Sequence, residues 1–292
     1  MFFHTKITIM IKNPSILVIG ASGQLGKSIK SIHKKYSEFN FIFVNKNTLN
    51  LSSQKNIDSF FNNKIFNVVI NCAAYTAVDK AEKDIENAEQ INHLALKHLS
   101  EIILNNGGKL IHISTDYVFN GKNSKPYLET DSTEPFTVYG KTKLQGEKAI
   151  QSLLSSNAII IRTSWLYSEY GNNFVRSMLK LGNQHETLKV VNDQIGSPTY
   201  ALDLAKTIMT IVKNKNFQNT TFTSNIFHYS NEGECSWYDF AKAIFELSNI
   251  KCNLIPIETK LYPTPAKRPK YSVINNTKVK DTYNLSIPNW KR

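Results

Sequence analysis

A phenol and an ammonium stand four residues apart in the stretch YGKTK, Tyr139 to Lys143, at the head of an apolar-periodic segment. On a helix, positions i and i+4 share a face, so both side chains point into one cleft. A phenol ionises at about pH 10, which is poorly matched to proton transfer near neutrality, and a neighbouring ammonium favours phenolate and lowers that value. Tyr139 could then protonate a carbonyl oxygen as hydride reaches the carbon, with Lys143 tuning the phenol and bonding a nicotinamide ribose. A hydroxyl completes the set, because STDYVF (114–119) places Thr115 where it could polarise the carbonyl. Read alone, a Tyr-x-x-x-Lys pair is an ordinary surface pair and Thr115 a capping residue.

The segment SILVI (15–19) separates these readings, because it runs straight into GASGQLG, with Gly20, Gly23 and Gly26 spaced three apart. Such glycines permit a tight turn, let backbone approach a pyrophosphate, and set the next helix N-terminus facing the anion. After an apolar strand and before a helix, the triplet points to dinucleotide binding. Where NAD-binding strands end in an acid, FIFVNKNTLNL offers Asn45 with Lys46 beside it. An amide does not repel a 2′-phosphate and a lysine attracts one, so NADPH is expected over NADH, with NADH still usable. In NCAAYTAVD (71–79), small residues would let the cofactor lie against backbone, or would serve tight helix packing instead.

The elements that must position these groups alternate. Nearly continuous apolar runs, SILVI, FIFV (41–44), NVVIN (67–71), KLIHIS (109–114) and AIIIR (158–162), read as buried strands. Between them lie helical patterns, such as 85–105 with Ala88, Ile91, Ala95, Leu99 and Ile102 on one stripe, ending at Gly107–Gly108. Alternating β and α elements predict an α/β fold, a doubly wound, Rossmann-like parallel sheet over 14–170. Residues 171–292 loosen into loops, a helix near 236–248 and the Pro-rich YPTPAKRPKYS (262–272). They are expected to form mainly a smaller substrate-binding lobe over the carboxyl edge of the sheet, with an interleaved boundary. Residues 1–13 read as an N-terminal extension.

Composition bounds the partners. The 292 residues are 41% hydrophobic and carry a net charge of +12. The lysines are dispersed, with only KSIKSIHKK (27–35) dense, so the charge reads as a solvated surface and no nucleic acid is expected. Cys72, Cys235 and Cys252 form no CxxC pair, no metal-ligand spacing is present, and a reduced cytoplasmic location is expected. Lys6 and Lys12 interrupt the apolar start and no small-residue cleavage site follows. No run reaches the roughly 18 apolar residues of a membrane span, so no membrane partner is expected.

The motifs NCAAYTAVDKAE, STDYVFNG, VYGKTKLQGE, RTSWLY with GNNF, NDQIGSPT and YPTPAKRP, in this order, resemble the dTDP-4-dehydrorhamnose reductases among the extended short-chain dehydrogenase/reductases. The resemblance runs from about residue 15 to Trp290. It implies reduction of the 4-keto group of dTDP-4-dehydro-β-L-rhamnose to dTDP-L-rhamnose, a donor for cell-surface polysaccharide, with a nucleotide-sugar as the small-molecule partner. By this resemblance Tyr139 is the proton donor, Lys143 its partner, and Thr115 and Asp116 contact the sugar. Gly23, Gln24 and Leu25 cradle the pyrophosphate, and Ala74, Tyr75 and Thr76 line its other side. Asn45, Lys46, Asn50 and Leu51 fall beside the adenosine. Trp165 borders the sugar pocket or is a core aromatic, and Arg268 meets the diphosphate or is a solvated arginine.

Some positions depart from the family. Members can hold Mg²⁺ with glutamates at a dimer interface, whereas Ser28 and Leu202 occupy two of those places and the chain ends at NWKR before the usual final helix. The Mg²⁺ ligands are therefore not retained, no metal residue is expected, and a homodimer without the metal stays open. Asn45 and Asn50 replace two acids that often contact the adenosine. Two rivals share the fold: a sugar-nucleotide dehydratase or epimerase, and a regulatory subunit of the methionine adenosyltransferase type. Elimination of water needs an acid after Thr115–Asp116, and Tyr117 stands there; the intact Thr115, Tyr139 and Lys143 favour turnover over a partner role.

Overall fold

A computed structural model describes residues 13–219 and 223–292. Apart from Asn13, the extension expected over residues 1–13 lies outside the described residues.

Six strands form the central sheet: β1 Ser15–Ile19, β2 Asn40–Val44, β3 Val68–Asn71, β4 Lys109–Thr115, β5 Ala158–Thr163 and β6 Asn225–His228. All pair in parallel, in the spatial order β2-β1-β3-β4-β5-β6. Alternate residues of the β-branched runs feed two cores. Ile16 and Val18 pack with Leu204, Ile208 and Val279 on one face, and Leu17 and Ile19 pack with Ile57, Leu99 and Ile150 on the other. Each side chain of this kind, fully buried, contributes roughly 1.5–3 kcal/mol before the entropy of ordering it. This is the doubly wound α/β sheet that the alternating pattern predicts. The order in which strands are added to the sheet changes sides between β1 and β3, and open α/β sheets bind ligands at such a switch point, outside the carboxyl ends of their strands.

The strand β6 and the helix Ala201–Lys213 lie in a stretch that reads as loosened from sequence. With only Ile226 and Phe227 apolar, β6 is too short and mixed to register as a buried run. The helix carries the usual stripe, Ala201, Leu204, Ala205, Ile208, Ile211 and Val212, all buried. Both return the chain to the main sheet. The helix expected over 85–105 is broken into Ile85–Glu89, a π-helical turn Gln90–Leu94 and Ala95–Asn105. Buried Asn92 accounts for the interruption: its Oδ1 accepts from Tyr75 N at 2.9 Å and its Nδ2 donates to Tyr75 O at 3.1 Å and Thr142 Oγ1 at 3.2 Å. The extra residue turns Ile91 and Ile102 partly out of the core, while Ala88, Ala95 and Leu99 stay buried. The helix ends before Gly107, at φ +67°, as its C-terminal glycines predict.

A second, smaller core joins the helices Phe174–Gly182 and Trp237–Ser248 to a parallel pair, Thr187–Val191 with Asn253–Ile257. Met178, Val190, Phe240, Phe245 and Trp290 fill it. The Trp237 helix starts at a capping box, Ser236 with Asp239, which satisfies two otherwise orphaned backbone donors and fixes where Trp237 emerges. Among the described residues, no helix is long and apolar enough to cross a membrane.

Candidate active site

A cleft of about 690 Å³ opens where the carboxyl ends of the strands meet the smaller core. At one end β1 delivers the glycine turn. Gly20 sits at φ +81°, and a Cβ there would lie 2.8 Å from Ala73 N, so only glycine lets this turn close against the start of the 71–79 segment. The helix Gln24–Ile32 then begins at Gly23 with no side-chain cap, leaving its first backbone N–H groups for an anion. Gly23, Gln24 and Leu25 line the cleft here, with Lys46, Asn50 and Leu51 from the β2 side and Ala74 and Thr76 opposite.

At the other end stand Thr115 from the end of β4 and Asp116 just past it, Tyr139 and Lys143 from the helix Val138–Leu153, and Trp165 just past β5. Thr137 caps that helix by accepting from Gly140 N at 3.0 Å, which places Tyr139 in the first turn. Tyr139 meets the ring of Tyr117 edge-on, with centroids 5.6 Å apart. Thr115 Oγ1 donates to Asp116 Oδ1 at 3.0 Å, and burial lifts the Asp116 carboxyl to about 6. Ser114 Oγ, buried without a hydrogen-bond partner, lies in the same wall.

Electrostatics here differ from the expectation of an ammonium-lowered phenol. Burial pushes the Tyr139 phenol up to about 12, opposed by a hydrogen bond with Thr115 and reinforced by the charge of Asp116. Lys143 has its own partners: its Nζ lies 3.0 Å from His112 Nε2 and donates to Ile113 O at 2.7 Å, and burial draws it down to about 7. Both groups are thus driven toward their neutral forms, because a dry wall penalises charge before it rewards pairing. A phenol held protonated is the form that a proton donor needs.

Four sequence candidates stand outside the cleft lining, each for a visible reason. Gly26 brings helix to strand, since a Cβ there would lie 2.4 Å from Gly20 O. Asn45 Oδ1 accepts from Asn47 N at 2.9 Å within its own turn. The Tyr75 phenol donates to Asp84 Oδ2 at 2.8 Å. Arg268 is held by Asp79 at 2.5 Å and reaches the Tyr117 phenol, one layer behind the cleft.

Other contributors escape a sequence reading. Asn71 and His112 are polar residues inside apolar runs, and they face each other across the β3–β4 register. Their signal was a polar residue in a buried apolar run, at the end of β3 for Asn71 and midway along β4 for His112. Trp237, at the head of its helix, lines the cleft and stacks on Trp165 with centroids 3.5 Å apart.

Comparison with known proteins now decides the family. Residues 14–292 match the family described as RmlD substrate binding domain. The dTDP-4-dehydrorhamnose reductase of Aggregatibacter actinomycetemcomitans is 38% identical, over 95% of this chain and 96% of the relative. The chain belongs to this reductase family. Two crystal structures agree: a dTDP-4-dehydrorhamnose reductase from Clostridium acetobutylicum (TM-score 0.88, 41% identity, 95% of each chain) and one from Bacillus anthracis in complex with NADP (TM-score 0.88, 36% identity, 96% of each chain). With the dinucleotide turn and the hydroxyl, phenol and amine in one cleft, the chain is an oxidoreductase of the NAD(P)H-dependent kind.

The glycine turn, the uncapped helix start and the orphaned Ser114 Oγ suit a dinucleotide. The residues do not suit Mg²⁺. Ser28 is buried and its Oγ donates to Gln24 O at 3.0 Å, and Leu202 packs against the main core. Among the described residues, no group of three or more His, Cys, Asp or Glu side chains could hold a metal ion.

Proposed function

We propose that this protein reduces the 4-keto group of dTDP-4-dehydro-β-L-rhamnose to give dTDP-L-rhamnose, with NADPH preferred over NADH and Tyr139 as proton donor. The observation that carries the reading is the convergence of Thr115, Tyr139 and Lys143 on one end of a cleft whose other end is the glycine turn.

NADPH, when bound, supplies the hydride. Gly20, Gly23, Gln24 and Leu25 hold its pyrophosphate through backbone and the helix N-terminus. Ala74 and Thr76 line the far side, Asn50 and Leu51 border the adenosine, and Lys46 supplies charge for a 2′-phosphate. Thr115 positions the substrate carbonyl oxygen and Tyr139 delivers its proton to that oxygen as the carbon is reduced. Asp116 and Trp165 border the sugar. Residues 171–292, excepting the segments that pack with the main sheet, serve as the substrate lobe, and Arg268 steadies its Pro-rich loop through Asp79 near the diphosphate.

The test is oxidation of NADPH by the purified protein given freshly generated dTDP-4-dehydro-β-L-rhamnose, followed by identification of dTDP-L-rhamnose. Oxidation with that product establishes the reading. NADPH that binds but is not consumed defeats it.

A further inference from the structure

We infer that Asn71 and His112 are positioning residues that hold Lys143 as an uncharged amine in the free enzyme, through a hydrogen-bond chain whose polarity is set by the backbone. The inference rests on the proposed placement of Tyr139 and Lys143 in the reaction.

The chain starts at Ala73. Its N–H donates to Asn71 Oδ1 at 3.0 Å, which fixes the amide so that Nδ2 faces His112 Nδ1 at 3.1 Å. An amide nitrogen only donates, so Nδ1 must accept. His112 is wholly buried and is held well below its ordinary range, first by burial and then by Lys143, so the ring is neutral. A neutral imidazole that accepts at Nδ1 carries its proton on Nε2. That N–H points at Lys143 Nζ, 3.0 Å away. An ammonium has three donors and no lone pair, so it cannot answer a donor; an amine can. The amine accepts from His112, donates to Ile113 O at 2.7 Å, and keeps one N–H for the cleft.

The opposite assignment fails at every link. A charged Lys143 would need Nε2 as acceptor and Nδ1 as donor, which sets Nδ1–H against Asn71 Nδ2. Flipping that amide would set its NH₂ against Ala73 N–H. All three side chains are at most 1% exposed, so a mismatch would go unsolvated. The titratable groups facing Lys143 are His112 from β4, and Tyr139 and Glu147 from its own helix. Glu147, paired with Arg162 of β5 at 2.7 Å, draws Lys143 upward against the larger effect of burial, and β3 contributes only the uncharged Asn71. Asp116 bears on the site through Tyr139. Lys143 is drawn down to about 7, in line with the polarity of the chain.

The consequence lies at the phenol. An ammonium in this wall would favour phenolate, whereas an amine leaves Tyr139 protonated and ready to donate. Asn71 and His112 thereby govern the protonation of a residue that neither of them touches.

The test is the ring ¹⁵N spectrum of the histidine-labelled protein at pH 7.5, with His112 assigned through its backbone correlations. Wild type should show the proton on Nε2 of His112. Asn71→Asp keeps the side-chain shape but replaces the Nδ2 donor with an acceptor. It should move the ring proton to Nδ1 and lower the alkaline midpoint of the pH dependence of kcat by roughly one unit or more, as an ammonium at Lys143 favours the Tyr139 phenolate. A wild-type ring protonated on Nδ1 overturns the inference. So does an unchanged tautomer or pH profile in a folded Asn71→Asp protein. Should that variant not fold, the wild-type tautomer alone decides. The tautomer is read without substrate, so absence of turnover would count against the proposed reaction and not against this chain.

Discussion

Trp165 and Trp237 stack face to face, 3.5 Å between centroids and 9° from parallel, tying the end of β5 to the first residue of a helix in the smaller core. Trp165 adopts φ +46°, a conformation uncommon for a bulky residue, and Gly196 gives it room, since a Cβ there would lie 2.5 Å from the indole. Phe174 adds a third ring, 4.6 Å from Trp237. Trp237→Ala should therefore destabilise the fold by roughly 3 kcal/mol in urea denaturation. It should also raise KM for the sugar nucleotide while leaving the NADPH Kd within about twofold. An unmoved KM would reduce the pair to a packing contact.

Tyr139→Phe keeps the ring and its contact with Tyr117 but removes the proton. Activity should fall about 10²–10⁴-fold, with NADPH affinity by fluorescence titration unchanged. Retained activity would show that another group supplies the proton.

Lys46 is exposed at the β2 end of the cleft, where the proposed binding of NADPH would bring the adenosine ribose. Lys46→Ala should weaken NADPH about 10–100-fold, the loss of one charge-assisted contact, and leave NADH nearly untouched. Equal losses for both cofactors would place the 2′-phosphate elsewhere.

The buried Lys143 should also leave a mark on stability. Its pKa falls from 10.5 to about 7 on folding, so the unfolded chain binds more protons between those values. By linkage, stability rises with pH across that window: the cost of burying the ammonium is full below about pH 7 and relieved toward 10.5, at about 1.4 kcal/mol per unit. Lys143→Met removes this titration. Compared at pH 6 and pH 9, wild type should gain on the variant. Parallel pH profiles would mean that Lys143 does not titrate in that range.

The sequence made some features legible because they obey local rules. The strands β1 to β5 are continuous apolar runs, the glycine turn has a fixed spacing, and Tyr139 and Lys143 share a helix face. Arg268 shows the other limit. Its loop position was readable, but the claim of Asp79 on its guanidinium depends on residues far apart in the chain that only the fold brings together. His112 is the sharper case. In KLIHIS it looks like one polar residue in a strand, and its meaning comes from lying opposite Asn71 in register and beside Lys143 in space. The phenol expectation erred for the same reason: spacing gives proximity, but only packing says how dry the site is and which partners the amine takes.

The pairing of β6 with β5 has a consequence for biosynthesis. Ile159 to Arg162 find their outer partners, Asn225 to His228, only after the Phe174 and Ala201 helices have been made. A nascent chain leaving the ribosome therefore carries β5 as an open edge of apolar, β-branched residues, a template for pairing with another chain. Closure of that edge is a contact of high sequence separation and is intrinsically slow to form. Substitutions between β5 and β6 that do not touch the cleft should consequently appear as lost soluble yield, while the molecules that do finish folding remain fully active.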